Sequence, residues 1–343
     1  MHLVRKLAAS ASRLALAGVL TGCAQNPMFA ALETEATATS MNAEALPREG
    51  SEEIGSQIQS LGGAATTQSS SALTRRRAWK DIAYGSHREQ GLDIYGTVTA
   101  STRRPVLVYI HGGAWKIGDK AHGMSDKPRW ANDQGWIFVS LNYRLAHPWL
   151  PVTRRPMHPA QIRDVAAGLG WVYRNIARFG GDPGRIALMG HSAGAHLATL
   201  AATHPLYLRE AGLSPANIRG VVANDSASYD LTVRSDMPWL ADAITNAFGR
   251  DPNILRDASP KLQLVSGTGV APMLVLVQGE ATRVGHARSF HEATVACDPG
   301  LQGDRFQLVT SRGYDHARMN SAVGQRGERT VTPIIETFLK STL

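Results

Sequence analysis

Cysteine and long apolar runs are both scarce in this chain. Its 343 residues include only Cys23 and Cys297, so a disulfide framework is not expected, and stability has to come from a hydrophobic core. The apolar stretch near the start, Leu14 to Leu20, falls far short of the roughly twenty residues a membrane-spanning helix requires. Internal repeats are not evident. The formal charge of +8 comes with no nucleic-acid-binding module. Part of the excess lies in the first residues and in the pairs Arg103-Arg104 and Arg154-Arg155. That pattern predicts a solvated basic surface, suited to anionic headgroups or polymers, and no nucleic-acid partner.

What is present begins with a leader. Arg5, Lys6 and Arg13 precede the apolar stretch, which runs into the small-residue site Thr21-Gly22 ahead of Cys23, the arrangement of an export signal over residues 1–22. Leu20-Thr21-Gly22-Cys23 resembles the lipobox of bacterial lipoproteins. The resemblance implies that Cys23 becomes the lipidated first residue of the mature chain and its membrane anchor. Ala24 stands where such lipoproteins carry an aspartate for inner-membrane retention, so the expected address is the outer membrane, facing the periplasm. Acylation of Cys23 would leave Cys297 without an intramolecular partner. Residues 23–75 are rich in Ala, Ser, Thr, Gly and Gln with no sustained apolar period, and read as a flexible tether. Residues 76–343, uninterrupted by a second linker, suit a single α/β domain.

Within that domain, strands and helices alternate. Leu92 to Val98, Pro105 to Ile110, Trp136 to Asn142, Arg185 to Met189, Ile218 to Ala223, Pro272 to Val277 and Arg305 to Thr310 read as strands. Several are nearly continuous apolar runs of the kind buried on both faces of a sheet. Between Pro159 and Phe179, Ile162, Val165, Leu169, Val172 and Ile176 recur at helical spacing, and Gly180-Gly181-Asp182-Pro183 ends the helix. Further helices are expected from Ala195 to Thr203, near Gly285 to Ala296 and from Thr332 to Lys340. The alternation predicts a mostly parallel sheet covered on both faces. An insertion between Ser235 and Pro260 reads either as a small cap above the sheet edge or as an ordinary packing helix.

Two motifs carry the chemistry. Gly190-His191-Ser192-Ala193-Gly194 is a G-x-S-x-G elbow between a strand and a helix, the context in which a serine is held exposed on a tight turn. His111-Gly112-Gly113-Ala114-Trp115 follows an earlier apolar strand and supplies backbone N–H groups. Gly112, Gly113 and Ala193 are the expected donors to a developing oxyanion. His111 itself reads as a hydrogen-bonder orienting the glycine loop. The base is expected late in the chain, because this architecture orders its triad as Ser, acid, His. His316, in the loop after the last strand, fits best, while His191 is expected to point away from the nucleophile. The acid stays open between Asp225, just past the strand ending at Ala223, and Glu280, in the loop after the strand ending at Val277. Asp230 is a lesser alternative, and Asp315 adjoins His316 too closely in sequence. Trp115 and Trp239 are expected to border a substrate pocket.

Together Tyr109 to Trp115, Gly118-Asp119-Lys120, Asn142 to Leu145, His158-Pro159, Asp164, Phe179 to Pro183, Gly190 to Gly194, Tyr229 to Leu231 and Arg256 to Pro260 resemble the α/β-hydrolase superfamily. The likeness is to bacterial esterases of its hormone-sensitive-lipase, feruloyl esterase and kynurenine formamidase-like group. The resemblance implies an eight-stranded, mostly parallel sheet. It also implies an acyl-serine intermediate on small or medium ester substrates, with no metal or organic cofactor. An arylformamidase or amidase activity, or a noncatalytic binding lipoprotein of the same fold, are the alternatives. Two departures stand out: Ala114 replaces a third glycine, and Thr282 stands where relatives place the triad aspartate.

Overall fold

The computed structural model describes residues 76–97, 102–267 and 269–343. The leader, Cys23 and the whole of the tether lie outside the described residues. Eight strands form one sheet: β1 (Arg76–Ala83), β2 (Gly91–Thr97), β3 (Arg104–Ile110), β4 (Ile137–Leu141), β5 (Gly181–His191), β6 (Ile218–Asn224), β7 (Met273–Gln278) and β8 (Phe306–Ser311). Their order is β1-β2-β4-β3-β5-β6-β7-β8. The β1–β2 and β2–β4 pairings are antiparallel and the rest parallel. Sequence reading found seven of these strands. It missed β1, whose mostly exposed residues give an edge strand no continuous apolar run.

The helices are α1 (Lys127–Asp133), α2 (Ala160–Asn175), α3 (Ala193–Thr203), α4 (Pro205–Glu210), α5 (Pro238–Phe248), α6 (Pro252–Asp257), α7 (Ala281–Cys297), α8 (His316–Ser321) and α9 (Thr332–Thr342). Alternate residues of β3 serve opposite layers. Val106, Val108 and Ile110 join a core with Ile162, Val165 and Leu169 of α2 and Leu197 and Leu200 of α3. Leu107 and Tyr109 join Trp130 of α1 and Ile335, Phe338 and Leu339 of α9. A strand buried on both sides needs apolar residues at every position, which is why these strands are legible as unbroken runs. The predicted 159–179 helix ends at Asn175 and continues as a 3-10 turn, Ile176–Phe179, capped by Gly180 at φ 83°.

The parallel register carries the functional consequence. Ile110 pairs with Gly190, Gly190 with Ala223, His191 with Asn224 and Gln278 with Ser311. The loops that follow β3, β5, β6, β7 and β8 therefore emerge along one rim of the sheet. Near that rim Asp164 of α2 accepts both Nε (2.8 Å) and Nη2 (2.7 Å) of Arg144, the Arg144 backbone N–H (2.9 Å) and the Gln90 amide (2.7 Å). This fork ties the β4 exit to the helix layer.

One expectation is corrected. Cys297, buried at the end of α7, is disulfide-bonded, against the expectation of no disulfide. No helix among the described residues is long and apolar enough to cross a membrane.

Candidate active site

Strand β5 runs straight into Ser192, which has φ 56° and ψ −120°. A non-glycine residue in this strained conformation is held there by its surroundings. Glycine is required on its flank: a Cβ on Gly194 would lie 2.0 Å from the Ile110 carbonyl oxygen, so the start of α3 can pack directly on β3. The elbow projects the Ser192 hydroxyl to 3.0 Å from Nε2 of His316. His316, the first residue of α8, turns its Nδ1 to Oδ2 of Asp225 at 2.5 Å. Asp225 immediately follows β6 and is wholly buried. Serine, histidine and aspartate thus form one hydrogen-bonded line.

The glycine loop faces the elbow. A Cβ on Gly112 would come within 3.2 Å of the Ser192 Cβ, and Gly113 has φ 117° with the Ile117 carbonyl 2.0 Å from any added Cβ. Among the described hydrogen bonds, none uses the N–H of Gly112, Gly113 or Ala193. His111 holds the loop as expected of an orienting residue: its Nδ1–H donates to the Gly112 carbonyl (2.7 Å), and its ring stacks on Tyr143 at 4.5 Å. Tyr143 in turn donates its hydroxyl to the His111 carbonyl at 3.1 Å.

Known proteins share this fold and part of this sequence. The BD-FAE family model matches residues 92–211. Esterase LipC of Mycobacterium tuberculosis is 33% identical over 251 residues, covering 68% of this chain and 59% of that protein. Esterase LipQ of the same organism is 35% identical over 214 residues, covering 58% and 48%. The chain thus spans only about half the length of these curated relatives. A hyperthermophilic esterase from the archaeon Pyrobaculum calidifontis superposes with a TM-score of 0.61 at 22% identity, covering 78% of this chain and 85% of that one. The chain has the α/β-hydrolase fold, and its residues 92–211 match the BD-FAE family.

Within this hydrolase fold the two candidate acids separate. Glu280, about two-fifths exposed, turns back to cap α7 by accepting the Thr282 N–H at 3.0 Å, and lies 3.5 Å from Nε of Arg283. It is thereby corrected as the partner of His316. Asp230 accepts from Thr232 and pairs with Lys261 at 3.5 Å, and Asp315 caps α8. Burial by itself would raise the Asp225 pKa. His316, the Gln278 N–H (2.9 Å) and the Arg283 guanidinium (3.6 Å) together outweigh it and hold the carboxyl below its ordinary value.

His191 does more than point away from the serine. Its Nε2–H donates to the His316 carbonyl at 2.9 Å, and the two rings lie 4.5 Å apart. Burial, then the neighbouring His316, pushes its pKa down to about 3, so it is a neutral support beneath the His316 backbone.

A small cleft opens beside Ser192, lined by Trp115, Ser226, Ser228, Trp239, Leu240 and Arg283 among others. Trp239 stands at its mouth, 47% exposed and 6.4 Å from the His316 ring. Trp115 is buried, with Nε1–H donating to Nδ1 of His196 at 3.2 Å and its ring edge-on to Phe248 at 4.9 Å. His196 donates its Nε2–H to the Ala258 carbonyl at 2.7 Å. Within the insertion, α5 supplies Trp239 and Leu240 to the cleft while Phe248 packs in the core. Sequence reading missed Arg283 and His196. The only sequence signal for Arg283 is a basic residue one step after Thr282.

Proposed function

We propose that this chain is a serine carboxylic ester hydrolase acting through an acyl-serine intermediate on small or medium esters. The observation that carries this reading is the continuous line from Ser192 through His316 to Asp225, beside backbone amides that no described hydrogen bond engages. His316 takes the Ser192 proton as the hydroxyl oxygen attacks the ester carbonyl. The N–H groups of Gly112, Gly113 and Ala193 hold the resulting oxyanion, each donor worth on the order of 3 kcal/mol. Asp225 keeps the His316 tautomer and stabilises the imidazolium. The imidazolium then protonates the departing alcohol, and a water deprotonated by His316 releases the acid and restores Ser192.

Three assays test the reading. A fluorophosphonate probe is expected to label the wild type and not Ser192→Ala; an unlabelled wild type leaves a noncatalytic binding protein. Short p-nitrophenyl esters are expected to turn over faster than N-formylkynurenine; the reverse order makes the chain an arylformamidase. Esters of increasing acyl length, with feruloyl and acetyl-sugar esters, define the substrate.

The leader and the lipobox-like site support a lipid-anchored form at the outer membrane, facing the periplasm. Cys23 is the only other cysteine in the sequence. An acylated sulfur forms no disulfide, so lipidation and a bond to Cys297 exclude each other within one molecule. Intact mass and palmitate incorporation in the wild type and Cys23→Ser decide between them.

A further inference from the structure

We infer that Arg283 is the positioning residue that fixes Asp225 as the acid of the triad. This deepens the ester-hydrolase reading and rests on it. The loop after β7, where the resemblance implies an aspartate, has Thr282, and the carboxylate facing His316 comes instead from the end of the neighbouring strand. A carboxylate there needs local support. Asp225 sits at φ 56° with no solvent exposure, and both conditions are costly for a charged non-glycine residue.

Arg283 meets both costs. It is itself buried, in the first turns of α7, a position where a helix packed on a sheet ordinarily places an apolar side chain. Its Nη1–H donates to the Asp225 carbonyl at 3.2 Å, and the same nitrogen lies 3.6 Å from Oδ2. One guanidinium therefore touches the main chain of the strained residue and its charge together. The guanidinium is held from behind by the Trp239 ring, 5.8 Å away, and by Glu280 at 3.5 Å from Nε. Glu280, on this view, serves the acid at one remove. The remaining contacts to the Asp225 carboxylate are the Gln278 N–H from β7 and His316; His191 from β5 and the buried Tyr229 are the other titratable groups nearby. Arg283 is the one fixed positive charge among these groups, because neither His191 nor His316 is permanently charged.

The test replaces the guanidinium by a neutral side chain of similar length, Arg283→Met, and by a shorter cation, Arg283→Lys. Arg283→Met is expected to lower kcat by about ten- to a hundredfold with KM within about threefold. The acidic limb of its pH–kcat profile is expected to move to higher pH, because loss of a nearby positive charge favours the protonated form of Asp225. Arg283→Lys, keeping the charge without the fork, is expected to return the acidic limb to its wild-type position while recovering only part of kcat. Unchanged kcat and acidic limb in Arg283→Met overturn the inference. A loss confined to KM also overturns it, assigning Arg283 to substrate binding. Should Arg283→Met fail to fold, Arg283→Lys decides alone through the downfield Nδ1 proton of His316: a shifted resonance supports the positioning role and an unshifted one overturns it. Fluorophosphonate labelling of the wild type is read in parallel, since its absence defeats the hydrolase reading itself, independently of Arg283.

Discussion

Oδ2 of Asp225 lies 2.5 Å from Nδ1 of His316, although 91 residues separate the two in the chain. Asp225→Asn is therefore expected to reduce kcat by about 10³–10⁴-fold, the loss that follows when an imidazole loses the anion fixing its tautomer. Glu280→Gln acts only through Arg283 and the α7 cap, so its kcat is expected to fall by no more than about tenfold. Steady-state kinetics on one activated ester compare the two, and equal losses would remove Asp225 from the role.

Ala114 and Gly113 offer an opposed pair of substitutions in the glycine loop. Ala114 sits at φ 53°, a left-handed conformation that costs a residue with a Cβ about 1–2 kcal/mol. Ala114→Gly is expected to hold or raise stability, by up to about 1 kcal/mol after the extra chain entropy of glycine is counted. Gly113→Ala drives its Cβ into the Ile117 carbonyl and displaces the N–H proposed to hold the oxyanion. Its kcat is expected to drop by about 10²-fold or more. Thermal melts and turnover on the same preparations check both.

Stability should respond to acid through buried imidazoles. Burial holds His196 at a pKa of about 3, and burial followed by the charge of His316 does the same for His191, against an ordinary value of 6.5. The unfolded chain takes up protons at these sites from about pH 6.5 downward, while the folded chain refuses them until about pH 3. Their contribution is complete above pH 6.5 and is lost progressively as pH falls toward 3. Melting temperature is expected to fall across that window, and His196→Gln to flatten the fall. A parallel slope in the variant contradicts the assignment.

The Arg144–Asp164 fork is a stability element outside the site. Asp164 is buried while Arg144 is about one-third exposed, so solvent screens part of the pair. Asp164→Asn is expected to cost about 2 kcal/mol, below the 3–5 kcal/mol typical of breaking a fully buried pair. Urea unfolding measures it, and a change under about 0.5 kcal/mol would assign the β4 exit to other contacts.

The sequence alone determined which segments become strands, because β3, β4, β6 and β7 are buried on both faces and so must be apolar at nearly every residue. It also marked Ser192, because the elbow and its flanking glycines are local geometry written in adjacent residues. His316 was legible through chain order, as the histidine in the loop after the last strand. The edge strand β1 was not legible, since exposure removes the apolar signal. The carboxylate facing His316 was left open for a different reason: Asp225 and Glu280 both follow apolar strands, and nothing local tells which side chain turns toward the rim. Tertiary structure decided it. The sheet register delivers Asp225 to the imidazole, the α7 cap draws Glu280 away, and Arg283 and the Gln278 N–H, from another strand and helix, make a buried charge tolerable where it stands.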